Sequence, residues 1–305
     1  MKIIFLATMY ASKYLDIAKK NSKKGMQMAP HFFQNMIIEG LENNPNVELK
    51  VLNIPPIGSY PINYKKIWIP QEIWGENYEQ IGYLNLPILK KKIIEKIIFK
   101  KICKIMQADP FEKFYILSYG LYIPFIKVLN NLKAKFGDRV IDCIICTDCV
   151  PGRGDFKRND NLYNKLLGNY IVKIIKKIDK FILLSKFLEE ILEIQNKPKM
   201  ILECIANIKQ KENCKNLVSY NRCLYAGTLE EEYGILEIIE AFKKIENSEL
   251  WICGDGPIKN EIIILSNNCC NIKYLGFLSQ EELNNLRDQC DFLINPRKPT
   301  GTFTK

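Results

Sequence analysis

Three cysteines, Cys143, Cys146 and Cys149, lie in the stretch IDCIICTDCVPGRGD with the C-x-x-C-x-x-C spacing of a metal or iron–sulphur site. The residues around them argue against that chemistry. VIDCIICT is an apolar, β-branched run bounded by Asp and Pro, which predicts a buried strand. Side chains an odd number of residues apart face opposite sides of a strand, so Cys143 and Cys146 cannot converge on one ion. An iron–sulphur run would also need a further cysteine where Arg153 stands. The cysteines are therefore expected to be small buried hydrophobes, with no metal held.

What such a strand does deliver is Asp148, at its carboxyl end. A carboxylate there can orient a hydroxyl or serve as a base. Its structural alternative is an Asx turn that caps the loop DCVPGR. Arg153 and Asp155 share that loop. His31 is the only histidine, so a multi-histidine metal site is excluded. It follows Pro30 in the first turn of a predicted helix and is expected to be solvent-exposed. The functional alternative is contact with a ligand, because the loop that precedes it, with Gly25, follows the first strand.

A second group of candidates comes from strand ends. In parallel α/β sheets, ligands bind beyond the carboxyl ends of the strands, where loop amides and helix N-termini point outward. Four successive predicted strands in the second half end in AGT (Gly227, Thr228), GDGP (Gly254, Asp255, Gly256), GFL (Gly276, Phe277, Leu278) and NPRKPTG (Arg297, Lys298). Glycines let backbone approach a phosphate, and Arg297 and Lys298 bring cations to the same edge.

The elements that must position these residues alternate. KIIFLAT, VELKVLNI, FYILSYG, RVIDCIICTD, KFILLS and KMILECIAN read as strands with helices between them. The helix over 88–106 carries seven lysines against Glu95 alone. Residues 53–87 are rich in Pro, Tyr and Trp and carry no clear period. The pattern restarts at RCLYAGT, so the expectation is α/β: two Rossmann-like parallel-sheet domains facing a crevice. Their bounds are 1–206 and 221–305, joined by a polar linker over 207–220. The chain reaches Lys305 directly after the fourth strand of the second domain, which is therefore expected to be incomplete.

Composition fits this frame. At 305 residues, with 47% of them hydrophobic, the chain can build two cores. Its net charge of +10 rests on 44 basic residues of which only six are arginine, which argues against nucleic acid as a partner. The 11 cysteines are odd in number and lie in apolar runs, which fits a reducing cytoplasm better than a disulfide scaffold. MKIIFLAT reads as a first buried strand, and no window approaches the ~20 apolar residues that span a bilayer.

YAGTLEEEYGILEIIEAF, LWICGDGP and IKYLGFLSQEELNNLRDQCDFLINPR together resemble the C-terminal domain of GT-B nucleotide-sugar glycosyltransferases, the retaining family-4 kind. Over the first half, TDCVPG and DKFILLSKFLEEIL are similar to the polysaccharide-type members. The resemblance implies a transferase of the hexosyl type that moves sugar from a nucleotide-diphosphate donor to a glycan or lipid-linked acceptor, in cell-surface polysaccharide synthesis. It implies donor contacts at Gly227, Thr228, Gly254, Asp255, Gly256, Phe277, Leu278, Arg297 and Lys298. Asp148 would be catalytic, and Gly25, His31 and Arg153 would lie on the acceptor side. No cofactor is implied beyond the nucleotide sugar as substrate. The helix over 88–106 could also lie on an anionic membrane surface, which makes the protein cytoplasmic and peripheral at the inner face.

The family's basic residue after the first glycine and its Lys-Gly pair are replaced here by Thr228–Leu229 and Tyr233–Gly234. Charge neutralisation at the diphosphate is then expected to be reduced unless Arg297 or Lys298 compensates. A competing expectation is a truncated or degenerate GT-B chain that binds glycan or a partner without catalysis. A dehydrogenase or epimerase of the Rossmann type is disfavoured, because neither first strand is followed by G-x-G-x-x-G.

Overall fold

A computed structural model describes residues 1–23, 26, 28–153, 161–205 and 221–297. The chain divides into two compact units, Met1–Ile208 and Lys209–Lys305. The linker expected over 207–220 lies outside the described residues.

In the first unit the order is β1 (Lys2–Ala7), α1 (Ser12–Asn21), α2 (Ala29–Glu42), β2 (Glu48–Asn53), β3 (Trp68–Ile69), β4 (Glu72–Trp74), β5 (Tyr78–Gln80) and β6 (Tyr83–Leu84). There follow α3 (Leu89–Ala108), β7 (Phe114–Tyr119), α4 (Ile123–Phe136), β8 (Val140–Cys146), α5 (Leu162–Ile175), β9 (Lys180–Leu183), α6 (Phe187–Ile191) and β10 (Lys199–Ile201). The main sheet runs β10-β9-β8-β7-β1-β2-β5-β4 and is parallel except for the β4–β5 pair. β1 sits inside it, wholly buried from Ile3 to Ala7, which accounts for the all-apolar run at the start of the sequence. The Pro- and Tyr-rich segment 53–87, unassigned from sequence, supplies β5 and β4 to the sheet edge and pairs β3 with β6.

Helix packing follows apolar spacing. α3 buries Ile94, Ile98, Ile102 and Met106 in the core shared with α4 and α5, whereas Leu89 at its start is exposed. Each such aliphatic side chain taken from water contributes about 1.5–3 kcal/mol. A separate core on the other sheet face joins Ile38 of α2 to Ile3, Phe5, Val51 and Ile145. Arg139, after α4, donates to the Met106 and Asp109 carbonyls at 2.9 and 2.7 Å and so ties off the end of α3.

Midway along β8, Asp142 is wholly buried. Its Oδ1 accepts the Asp179 N–H at 2.6 Å, while Oδ2 has no partner. Burial above all pushes this carboxyl up to about 6.

The second unit repeats the theme with β11 (Asn221–Ala226), α7 (Ile235–Phe242), β12 (Ser248–Cys253), α8 (Lys259–Asn267), β13 (Ile272–Gly276), α9 (Gln280–Arg287) and β14 (Phe292–Leu293). Its parallel sheet has the order β13-β12-β11-β14. α7 buries Ile235, Ile238, Ile239 and Phe242, the i, i+3, i+4, i+7 stripe of an amphipathic helix.

Candidate functional site

The carboxyl edge of the second sheet is built from loops folded on one another. The Gly227 N–H donates to the Cys253 carbonyl at 3.0 Å, Gly254 to Gly276 at 2.9 Å, and Leu229 to Asp255 at 3.1 Å. Two tyrosines lock the same edge: the Tyr225 hydroxyl donates to the Thr228 carbonyl at 2.7 Å and Tyr274 to the Gly254 carbonyl at 2.8 Å. The contact is too close for side chains. Gly254 has φ +144°, and a Cβ there would stand 1.8 Å from the Gly227 carbonyl oxygen; one at Gly256 would stand 2.3 Å from that of Leu229. These glycines are thus required by loop-on-loop packing. Thr228 is exposed beside them.

Helix α7 starts at Gly234, whose φ is +73° and whose own Cβ would meet the Pro296 carbonyl oxygen at 1.8 Å. That approach brings the loop after β14 onto the start of α7. Arg297 there lays its guanidinium 4.9 Å from the Tyr233 ring centre. A cation therefore stands beside the Tyr233–Gly234 pair. No side chain caps α7. α9, by contrast, is closed by its own residues: Ser279 Oγ accepts from the Glu282 N–H, and the Glu282 carboxylate accepts from the Ser279 N–H at 2.7 Å. Phe277 is exposed and Leu278 half-buried just before that capped end. Asp255 is turned onto its own loop, where it accepts from the Gly256 N–H at 3.1 Å and lies 3.6 Å from the Lys259 ammonium. Lys298 lies outside the described residues.

The carboxyl edge of the first sheet holds Asp148, exposed, with its Oδ2 accepting the Thr147 hydroxyl at 2.9 Å. Tyr119, at the end of neighbouring β7, is buried beside this pair. Burial first, and then the Asp148 charge, raises its phenol, against a hydrogen bond with Thr147. β1 and β2 end on two amide clamps that sequence reading did not single out. Gln34 Oε1 accepts the Thr8 N–H and its Nε2 donates to the Thr8 carbonyl, both at 2.7 Å. Asn53 Oδ1 accepts the Met9 N–H and its Nδ2 donates to the Met9 carbonyl, both at 2.9 Å. Both amides are fully buried. Asn53 is the last residue of its strand, and a polar residue in that position was the available signal.

His31 departs from the expected exposure. It is half-buried, because the start of α2 packs against the loop after β1; its ring lies 6.0 Å from that of Tyr10 and 5.3 Å from that of Phe32. Nε2 is 3.1 Å from Asn35 Nδ2, and Nδ1 is buried without a partner. Burial lowers its pKa, so the imidazole is neutral at pH 7. Arg153 is engaged elsewhere, with donors on Asn169 at 2.9 Å, Glu193 at 2.6 Å and the Ile191 carbonyl at 3.2 Å, which fastens its loop to α5 and α6. Gly25 and Asp155 lie outside the described residues.

The cysteines behave as strand parity requires. Cys143 is half-buried and Cys146 fully buried. Desolvation pushes the Cys143 thiol up to about 12 and raises Cys146 further, so neither offers a thiolate. Among the described residues, no group of three or more His, Cys, Asp or Glu could hold a metal ion. No helix among them is long and apolar enough to cross a membrane.

No protein-family model matches the sequence, and no curated protein matches it. Solved structures do. The chain is similar to a sucrose-phosphate synthase from Thermosynechococcus elongatus, with a TM-score of 0.61 and 13% identity over 99% of this chain and 77% of that one. The chain has the GT-B fold. Similar again are an E. coli trehalose-6-phosphate structure bound with UDP-2-fluoro glucose (TM-score 0.60, 9% identity, 97% of this chain and 78% of that one) and the catalytic domain of starch synthase IV from Arabidopsis thaliana bound to ADP and acarbose (0.58, 8%, 97% and 78%). Within that fold both units are Rossmann-like, each with a parallel sheet whose carboxyl edge gathers the loops described above.

Proposed function

We propose that this chain is a glycosyltransferase of the retaining, family-4-like kind, which moves a sugar from a nucleotide-diphosphate donor to a glycan or lipid-linked acceptor in cell-surface polysaccharide synthesis. The observation that carries the reading is the placement of Arg297 over Tyr233, at the uncapped start of α7 and next to the glycine-built edge. Departure of a nucleoside diphosphate develops charge on its phosphate oxygens. A fixed guanidinium and oriented amides stabilise that charge without reorganising. Arginine suits this place because its planar fork can hold two phosphate oxygens while its face rests on an aromatic ring.

On the first unit, Asp148 orients or deprotonates the acceptor hydroxyl, with the Thr147 hydroxyl fixing one carboxylate oxygen. Neutral His31 contributes a polar, uncharged wall on the acceptor side. The likeness of the fold to structures holding UDP-2-fluoro glucose or ADP supports a nucleotide-linked donor.

Titration calorimetry with UDP, ADP, GDP and their sugar conjugates tests the reading. Micromolar binding of one diphosphate, lost in Arg297→Ala, is expected. Equal, weak heats for every nucleotide in the unaltered chain would refute it.

A further inference from the structure

α3 and α4 share one core, and toward their C-terminal ends a thiol meets an amine. Cys103 of α3 is 6% exposed and follows Ile102 of the buried stripe. Lys135 lies in the last turn of α4. Its side chain is exposed, yet its Nζ donates to Cys103 Sγ at 3.7 Å. Two rings hold the ammonium there. It lies 5.8 Å from the centre of Phe99, one turn before Cys103 on α3, and 5.3 Å from that of Phe136. The stem of a lysine runs along apolar surface while its head seeks a polar partner, and at this rim of the core the partner is a sulphur. Neither group belongs to the candidate site, and a cysteine that only fills space needs no lysine laid over it.

We propose that Cys103 and Lys135 form a reversible covalent bridge through one oxygen atom, Sγ–O–Nζ, when the protein meets dioxygen. The thiol, the ammonium and one dioxygen give the bridge, one water and one proton. Sulphur and nitrogen each lose two electrons, and these four electrons reduce the dioxygen: one of its atoms stays in the bridge and the other leaves as water. Four thiols of a reductant reverse the step. They restore the thiol and the amine, release the bridging oxygen as water and end as two disulfides. Sγ and Nζ are already in contact, so one oxygen fits between them with a small movement of the flexible lysine end. The exposed side of Lys135 admits oxidant and reductant from solvent, while Cys103 keeps its other sides in the core. The bridge joins residues 32 apart in the chain and fastens α3 to α4. Reducing conditions keep the pair open, and oxygen closes it.

Peptide mapping of the full chain, either kept without oxygen or equilibrated with air, tests the proposal. The air-equilibrated protein is expected to yield a linked pair of peptides carrying Cys103 and Lys135. That pair should exceed the summed mass of its two peptides by about 14 Da, one oxygen gained and two hydrogens lost. Dithiothreitol should remove the link. Lys135→Arg, which keeps the charge but not the amine, should not form it, at unchanged circular dichroism. The linked protein should melt on the order of 5 °C above the reduced one, because a cross-link restricts the unfolded chain, and Lys135→Arg should lose that difference. A Cys103 peptide heavier by about 16 or 32 Da without a link, the marks of sulfenic and sulfinic acid, would overturn the proposal. So would a link that persists in Lys135→Arg, or air-equilibrated protein with no change of mass at Cys103.

Discussion

Asp142 makes the folded chain sensitive to pH in a direction opposite to most carboxylates. Its folded pKa of about 6 stands above the ordinary value of 3.8, chiefly because burial disfavours the charge; the hydrogen bond from the Asp179 N–H opposes the rise, the Asp179 charge adds to it, and Lys133 and Lys197 oppose it. The folded chain therefore holds this proton more tightly than the unfolded chain. The resulting penalty is absent below about pH 4, grows as pH rises through 6, and is constant above. A difference of about two pH units corresponds to roughly 3 kcal/mol at neutral pH. Asp142→Asn keeps the oxygen that accepts the Asp179 N–H and removes the charge. Because the amide nitrogen inherits the unpartnered Oδ2 position, the gain should be nearer 1–2 kcal/mol at about pH 7.5 and vanish near pH 4.5. Urea unfolding of both proteins at several pH values would measure it. A variant that is less stable than the parent at pH 7.5, by the same amount as at pH 4.5, would refute the reasoning.

Other expectations concern the site. Arg297→Ala should weaken binding of the nucleoside diphosphate by about tenfold to a hundredfold, the usual range for a charge-assisted contact, and Arg297→Lys should restore only part of it; calorimetry reads both. Asp148→Ala should cut transfer at least a hundredfold with little change in nucleotide affinity, and unchanged turnover would remove Asp148 from the site. Asn53→Ala should cost about 2–3 kcal/mol in denaturant unfolding, because it strips two buried backbone groups of Met9 of their partners.

The alternation of strand and helix was legible because parallel strands buried on both faces read as apolar runs: β1 is unbroken from Ile3 to Ala7, and β8 is interrupted only by Asp142. The strand-end glycines of the second unit were legible for a similar reason: Gly254 and Gly256 stand where a Cβ would strike backbone. Position along the chain could not show what holds them. Their partners Gly227 and Leu229 lie a whole βα unit away. The same limit hid the His31 environment, which depends on Tyr10 from a different element. It also hid the Arg153 clamp, whose acceptors Asn169 and Ile191 belong to later helices and Glu193 to the turn after α6. Segment 53–87 was opaque because its strands are two or three residues long, too short to display a period.

The clamps on Thr8 and Met9 have a practical outcome for protein engineering. Gln34 belongs to α2 and Asn53 to β2, so the point at which the chain leaves the first strand is held by residues outside the connection that follows. Segments grafted after Tyr10 would start from the same anchor whatever their composition, provided that both amides are kept. This makes the first connection a natural site for swapping recognition sequences between related scaffolds.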